Sequence, residues 1–239
     1  MKDDQPKMLN SEILNSDILH RLDLDRRSRL GMLEAVWGEH KTSEQIIAIA
    51  IEMQAAGELM LATRIDESKA AAIAIKLPSV KYYPQARCLS LGSLPETRTN
   101  GLGNVAILTG GSSDISVASE AQLALACHGI HSDLIADVGV AGLHRLMRQL
   151  PELHKYQVLI VCAGMEGALP TVVAGLLPQP IIAVPVSVGY GVSAGGIAAL
   201  HGMLASCAPG LAVVNIDNGY GAAMAALRII KGVLQAGVN

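Results

Sequence analysis

The pattern of apolar and polar positions changes character twice along this chain. From Thr42 it is helical. Thr42-Ser43-Glu44-Gln45 has a hydroxyl able to accept a first-turn amide and a glutamine able to reach back, which is a capping box. Ile46, Ile47, Ile49 and Ala50 carry the helix to a stop at Gly57. Leu59–Ala62 reads as a strand, Glu67–Ile75 as a short helix and Lys81–Leu91 as a further strand that Pro84 interrupts. These pieces make a small α+β unit, which ends near Pro95–Gly101 where ETRTNG breaks the pattern. Ahead of it, residues 1 to about 41 are polar and charge-rich. They read as a solvated arm or a helix with an oligomer contact. The cluster Arg21, Arg26, Arg27 and Arg29 offers a second reading, a holder of phosphate or carboxylate.

From Asn104 the rhythm becomes short apolar runs alternating with helical stretches. Val105–Leu108, Leu134–Ala136, Val158–Cys162, Ile181–Val184 and Leu211–Asn215 are the strands, and a helix spans about Ser116–His128. Strands apolar on both faces and separated by helices predict a parallel sheet covered on both sides. The expected fold class is therefore α/β, a three-layer parallel sheet, with the small α+β unit in front of it. The domain boundaries that follow are 1–100 and 101–239. Each strand ends in a glycine-containing loop, and in such sheets ligands bind outside the carboxyl ends of the strands.

Composition narrows the class. The chain of 239 residues is 51% hydrophobic with mean hydropathy +0.38, which suits a membrane protein or a soluble protein with much surface in an oligomer interface. The run Gly167–Pro185 is broken by Pro170, Pro178, Pro180 and Pro185. The run Gly191–Val214 exceeds the roughly 20 residues a span needs, but it carries Gly195, Gly196, His201, Ser206 and Pro209 without basic anchors. It reads as a buried helix, a turn and a strand. MKDDQPK opens the chain with no apolar segment behind it, so no signal peptide and a cytoplasmic location are expected. A net charge of −3, one Trp and no Phe argue against a nucleic-acid surface. Cys88, Cys127, Cys162 and Cys207 form no CxxC pair, which suggests a reducing cytoplasm and argues against a disulfide framework or a cysteine zinc site.

Candidate chemistry lies in the strand-end loops. Gly110-Gly111-Ser112-Ser113-Asp114 opens a helix, where amides and hydroxyls can hold a phosphate and Asp114 a ribose hydroxyl; an ordinary helix cap is the alternative. Between Lys155 and Asp217 the only formally charged side chain is Glu166. Buried in so apolar a segment, it becomes a usable general base; a carboxylate satisfied by loop amides is the other reading. Cys207, before a Pro-Gly turn, is a nucleophile or a structural thiol, and Cys88, Cys127 and Cys162 take the structural reading. His144 and His201 read as capping or core-edge residues, and Asp217-Asn218-Gly219 as a turn.

Four long stretches carry a resemblance. AGMEGALPTVVAGLLPQPIIAVPVSVGYG, GGIAAL, SCAPGLAVVNIDNGYGAA and DVGVAGLHRL, in that family's own order of motifs, resemble the LarB family of nickel-pincer cofactor biosynthesis, the pyridinium-3,5-biscarboxylic acid mononucleotide synthases. RRSRLG, GEHKTSEQI and LATR extend the likeness into the N-terminal part. The family implies a flavodoxin-like, PurE-like catalytic domain in a compact homo-octamer. It implies carboxylation of the pyridinium ring of nicotinic acid adenine dinucleotide with CO2, followed or preceded by hydrolysis of the phosphoanhydride to release AMP. It further implies Cys207 as the thiolate that adds to the ring and Glu166 as the base. Gly111, Ser112, Ser113, Asp114, Gly139, Gly164, Met165, Ser187, Gly189, Tyr190 and Gly191 are the substrate-binding positions that follow. No biotin and no ATP are implied, and magnesium is the expected ion at the phosphates. A PurE-type aminoimidazole ribonucleotide carboxylase or mutase, and a non-catalytic nucleotide-binding module, are the alternative readings.

Overall fold

A computed structural model describes residues 21–97 and 104–236. The arm before residue 21 and most of the ETRTNG break lie outside the described residues.

The N-terminal unit contains α1 (Arg26–Leu30), β1 (Ala35–Trp37), α2 (Ser43–Ala55), β2 (Met60–Thr63), α3 (Glu67–Lys76), β3 (Lys81–Tyr83) and β4 (Cys88–Leu91). The capping box at Thr42 forms as its sequence predicts, with both reciprocal bonds in place. Two expectations change. Lys81–Leu91 is not one strand but the hairpin β3–β4, because Pro84 has no amide to give to a ladder and the chain turns there. The charge-rich stretch before Thr42 contains β1, which adds parallel to β2. Of the arginines there, Arg29 pairs with Asp23 and Arg27 with Glu58, both on the surface. The sheet order is β1-β2-β4-β3. One face packs on α2 and α3 through Ile46, Ile49, Met53, Met60, Ile73 and Leu89.

The second unit runs β5 (Val105–Thr109), α4 (Ile115–Ala126), β6 (Ser132–Ile135), α5 (Leu143–Leu153), β7 (Val158–Ala163), α6 (Ala168–Leu176), β8 (Ile181–Pro185), α7 (Ile197–Leu204), β9 (Leu211–Val213) and α8 (Gly219–Ala236). All five strands are parallel in the order β6-β5-β7-β8-β9, the doubly wound order of flavodoxin-like sheets. Side chains alternate between the faces as the pleat requires. Val105, Ile107, Ile160, Cys162, Ile182 and Val184 face α4 and α8. Ala106, Leu108, Leu159, Val161, Ile181 and Ala183 face α5, α6 and α7. Burial on both faces explains why the central strands β5, β7 and β8 are near-continuous apolar runs, while the edge strands β6, which opens with Ser132 and Asp133, and β9 are only partly buried.

The two units share a core. Leu61 and Cys88 of the first sheet join Ala118, Ala121, Ala222 and Ala226 in one cluster, so the small sheet lies over α4 and α8. Small residues let α8 approach α4; a Cβ at Gly219 would collide with the Val117 carbonyl. Tyr220 donates its hydroxyl to the Leu33 carbonyl at 3.0 Å, and Arg64 donates to the Asp217 carbonyl at 2.8 Å. The stretch 191–214 folds as a 3₁₀ segment, α7 and β9. Its helix is less buried than its sequence implies. Ala199 and Met203 face the core, whereas Ile197 and Leu204 are exposed. Among the described residues no helix is long and apolar enough to cross a membrane.

Candidate active site

A cleft of about 470 Å³ opens at the carboxyl ends of β5, β6, β7 and β8. Four loops build it: Gly110–Asp114 after β5, Gly139–Ala141 after β6, Gly164–Glu166 after β7 and Val188–Tyr190 after β8. Gly111, Ser113, Asp114, Gly139, Gly164, Met165, Glu166, Gly189 and Tyr190 all line it. Ser112, Ser187, Gly191 and Cys207 do not. Ser112 is exposed, and Ser187 lines a neighbouring notch. Sequence reasoning missed Arg145, which reaches the cleft from α5 and pairs with Asp137. Its signal was present in DVGVAGLHRL, the motif that carries it.

The loop glycines serve loop-to-loop packing. A Cβ at Gly164 would collide with the Val188 carbonyl, and one at Gly139 with the Gly110 carbonyl. Backbone meets backbone here, so the glycines bring four strand ends close enough to share one cleft. Met165 takes a left-handed conformation at φ 52°, an unusual cost for a non-glycine residue and one that gathers at functional loops.

The carboxylates exchange the places their sequence suggests. Glu166 is exposed at the cleft, not buried in an uncharged pocket, because the chain turns outward before α6 begins at Ala168. Asp114 is the buried carboxylate, only 4% exposed. Its side chain folds back to accept the Gly111 amide at 2.8 Å, and the Gly164 and Gly110 amides also point at it. Burial pushes its pKa up, the amides offset part of that, and the charge of Asp217 adds to it. Asp114 therefore braces the loop after β5 while still lining the cleft.

Cys207 is exposed on the loop that enters β9 from α7. Its neighbour Ser206 accepts a hydrogen bond from Thr171, one turn into α6, at 2.8 Å. The structure does not bring this thiol into the cleft of its own chain. The other three cysteines are buried; burial lifts Cys127 to about 12 and raises Cys88 and Cys162 further, which keeps them as neutral thiols.

Two family models divide the chain as its two sheets do. Residues 15–93 match a LarB/PurE-like N-terminal domain, and residues 104–235 match an AIR carboxylase domain. The chain belongs to the LarB family. Its second unit is PurE-like, which places it among the PurE-related carboxylases and mutases. An uncharacterized protein of Methanocaldococcus jannaschii is 39% identical over 218 residues, spanning 88% of this chain and 84% of the relative. The N5-carboxyaminoimidazole ribonucleotide mutase of the same organism is 35% identical over 133 residues, 53% of this chain and 78% of that protein. A crystal structure of Treponema denticola PurE covers 56% of this chain and 91% of its own at 23% identity, with a TM-score of 0.46.

The LarB likeness carries an expectation of magnesium. Among the described residues no three His, Cys, Asp or Glu side chains gather as a metal group. Asp114 is already occupied by amide donors. Magnesium at a phosphate ester commonly takes only one or two carboxylates and completes its shell with substrate phosphates and water. Glu166 is the exposed carboxylate at the cleft that could serve, and no step below is routed through the ion.

Proposed function

We propose that this LarB-family chain carboxylates the pyridinium ring of nicotinic acid adenine dinucleotide with CO2 and hydrolyses its phosphoanhydride, releasing AMP. The observation that carries this reading is the distribution of charge around the cleft. The exposed carboxylate of Glu166 suits a cationic ring, Val140, Leu169 and Val188 supply apolar walls, and Arg145 suits a phosphate. No histidine lines the cleft among the described residues, and a purine-type carboxylase or mutase would call for one.

The chemistry follows from the ring. An electron-poor pyridinium does not attack CO2. When a thiolate adds to a ring carbon, aromaticity is lost and an enamine forms. The adjacent ring carbon then attacks CO2, making the new carbon–carbon bond. A base removes the proton from that carbon, the carbon–sulfur bond breaks, and its electrons leave with the thiolate as the ring regains aromaticity. The net change is loss of one proton and gain of one carboxylate. Glu166, which lines the cleft, is the proposed base, and its exposure lets it hand the proton to water. Cys207 supplies the thiolate when the loop 205–210, from the same chain or a neighbouring copy, closes over the cleft.

A homo-octamer accounts for the apolar surface beside the cleft. Tyr190, Val192, Ile197 and Leu204 are exposed, Val192 at 96%. Light scattering at micromolar concentration then reports an assembly; a monomer argues against it. The reaction itself is tested by incubating the protein with the dinucleotide and labelled bicarbonate. AMP and a labelled ring are expected. Label on aminoimidazole ribonucleotide instead, with none on the pyridine, transfers the function to the PurE type.

A further inference from the structure

Beside the cleft, where the N-terminal unit meets the second one, is a notch of about 170 Å³. It shares Ser113 and Val188 with the cleft, so the two spaces adjoin. Arg64 and Arg87 come to it from the first sheet. Arg64 follows β2 and Arg87 precedes β4, and these strands pair antiparallel with Ala62 opposite Leu89. Continuing that register sets Arg64 across from Arg87, and the Ile65 amide donates to the Arg87 carbonyl at 2.7 Å.

Two cations directly opposite across a ladder repel, so the fold gains nothing by itself from this pairing. Both arginines also hold left-handed backbone, at φ 56° and 51°. Arg64 is partly committed: it donates to the Asp217 carbonyl at 2.8 Å and lies 3.5 Å from Glu39. Arg87 has no side-chain hydrogen bond or ion pair among the described residues. The acidic groups of the notch are turned away into backbone. Glu120 accepts the Tyr220 amide and Asp217 the Ser187 amide, each at 2.8 Å. Burial raises the pKa of Glu120, and the Tyr220 amide and the charges of Arg64 and Arg87 offset part of that. The hydroxyls of Ser113 and Ser116 add donors on the α4 side.

We infer that the notch is a phosphate subsite, in which Arg87 with Arg64 binds the phosphate of the substrate's adenylate half, the one that departs on AMP. The inference rests on the dinucleotide reading for the identity of the ligand. At 170 Å³ the notch takes a phosphate and leaves the adenosine outside it. A guanidinium fork matches an oxyanion in shape as well as charge. The N-terminal unit thereby has a role in the site: it presents cations to the phosphate bridge at the middle of the substrate, on the adenylate side.

The test titrates AMP, adenosine and inorganic phosphate by calorimetry into wild type, Arg87→Gln and Arg87→Lys, and measures dinucleotide turnover for each. Glutamine faces the same backbone demand as arginine at this position, and a matched thermal melt controls for folding. Arg87→Gln is expected to weaken AMP about tenfold or more, the scale of one lost charge-assisted bond, with adenosine unchanged. Arg87→Lys should fall between the two, and the KM for the dinucleotide should rise with the AMP Kd. Unchanged AMP affinity in Arg87→Gln, or no AMP binding to wild type, overturns the inference. If AMP binds through Arg87 but the dinucleotide is never turned over, the proposed reaction falls and the phosphate subsite stands. If turnover is normal and Arg87→Gln alters neither affinity nor KM, the subsite falls and the reaction stands.

Discussion

Asp114→Asn tests how the cleft's buried carboxylate is held. Asparagine keeps a carbonyl oxygen for the Gly111 amide, now accepted by Asp114 at 2.8 Å. Its amide nitrogen then faces the Gly164 amide, where Asp114 offers its second oxygen. One buried donor loses its acceptor, at a cost of about 1–3 kcal/mol. For a chain of this size that is about 2–12 °C in Tm. The pH dependence gives the sign. Burial raises the folded pKa of Asp114, so this group's contribution to stability is full below its unfolded pKa and is lost as pH rises through the folded one. Asparagine does not titrate. The deficit of the variant should therefore be largest below the unfolded carboxyl pKa and shrink as pH rises through the folded one. Urea or thermal melts of both proteins across that range measure it. A deficit that stays constant, or that widens as pH rises, would falsify the account of Asp114 as a carboxylate pushed up by burial.

Glu166→Gln should leave Tm unchanged, since the side chain is exposed, while carboxylation falls about a hundredfold or more, the scale of a lost general base; near-normal turnover moves the base elsewhere. Cys207→Ser should bind the dinucleotide, yet show neither a dihydropyridine-like absorbance nor labelled ring; carboxylation at the wild-type rate sinks the covalent route. Assemblies mixed from Cys207→Ser and Glu166→Gln copies regain activity if the thiol comes from a neighbouring copy, and stay inactive if each chain uses its own loop. Gly219→Ala should lower Tm by several degrees, because its Cβ would meet the Val117 carbonyl between α4 and α8; an unchanged melt contradicts that packing.

The local sequence determined everything that depends on near neighbours. Period and composition were enough for the central parallel strands, since a strand buried on both faces must be apolar throughout, as Val158–Ala163 is; the half-buried edge strand β6 begins two residues earlier than its apolar run, at Ser132. The capping box at Thr42 is equally local, set by four consecutive residues. The loops that make the cleft followed as well, because parallel strands put all their carboxyl ends on one side. What the chain order does not encode is distance across the fold. Lys81–Leu91 looked like one strand because its two halves are both apolar enough, and only the partner β2 decides that β4 pairs while β3 turns back. Glu166 looked buried because its sequence neighbours are apolar, yet those neighbours bury themselves and leave the carboxylate at the surface. Asp114 lies among serines and glycines in the sequence and is enclosed in the structure by the loop after β7, more than forty residues away. Arg64 and Arg87 meet only through the β2–β4 register, and reach the cleft only because the small sheet lies on α4 and α8. Burial and electrostatic company are properties of contacts remote in sequence, so they belong to the tertiary structure alone.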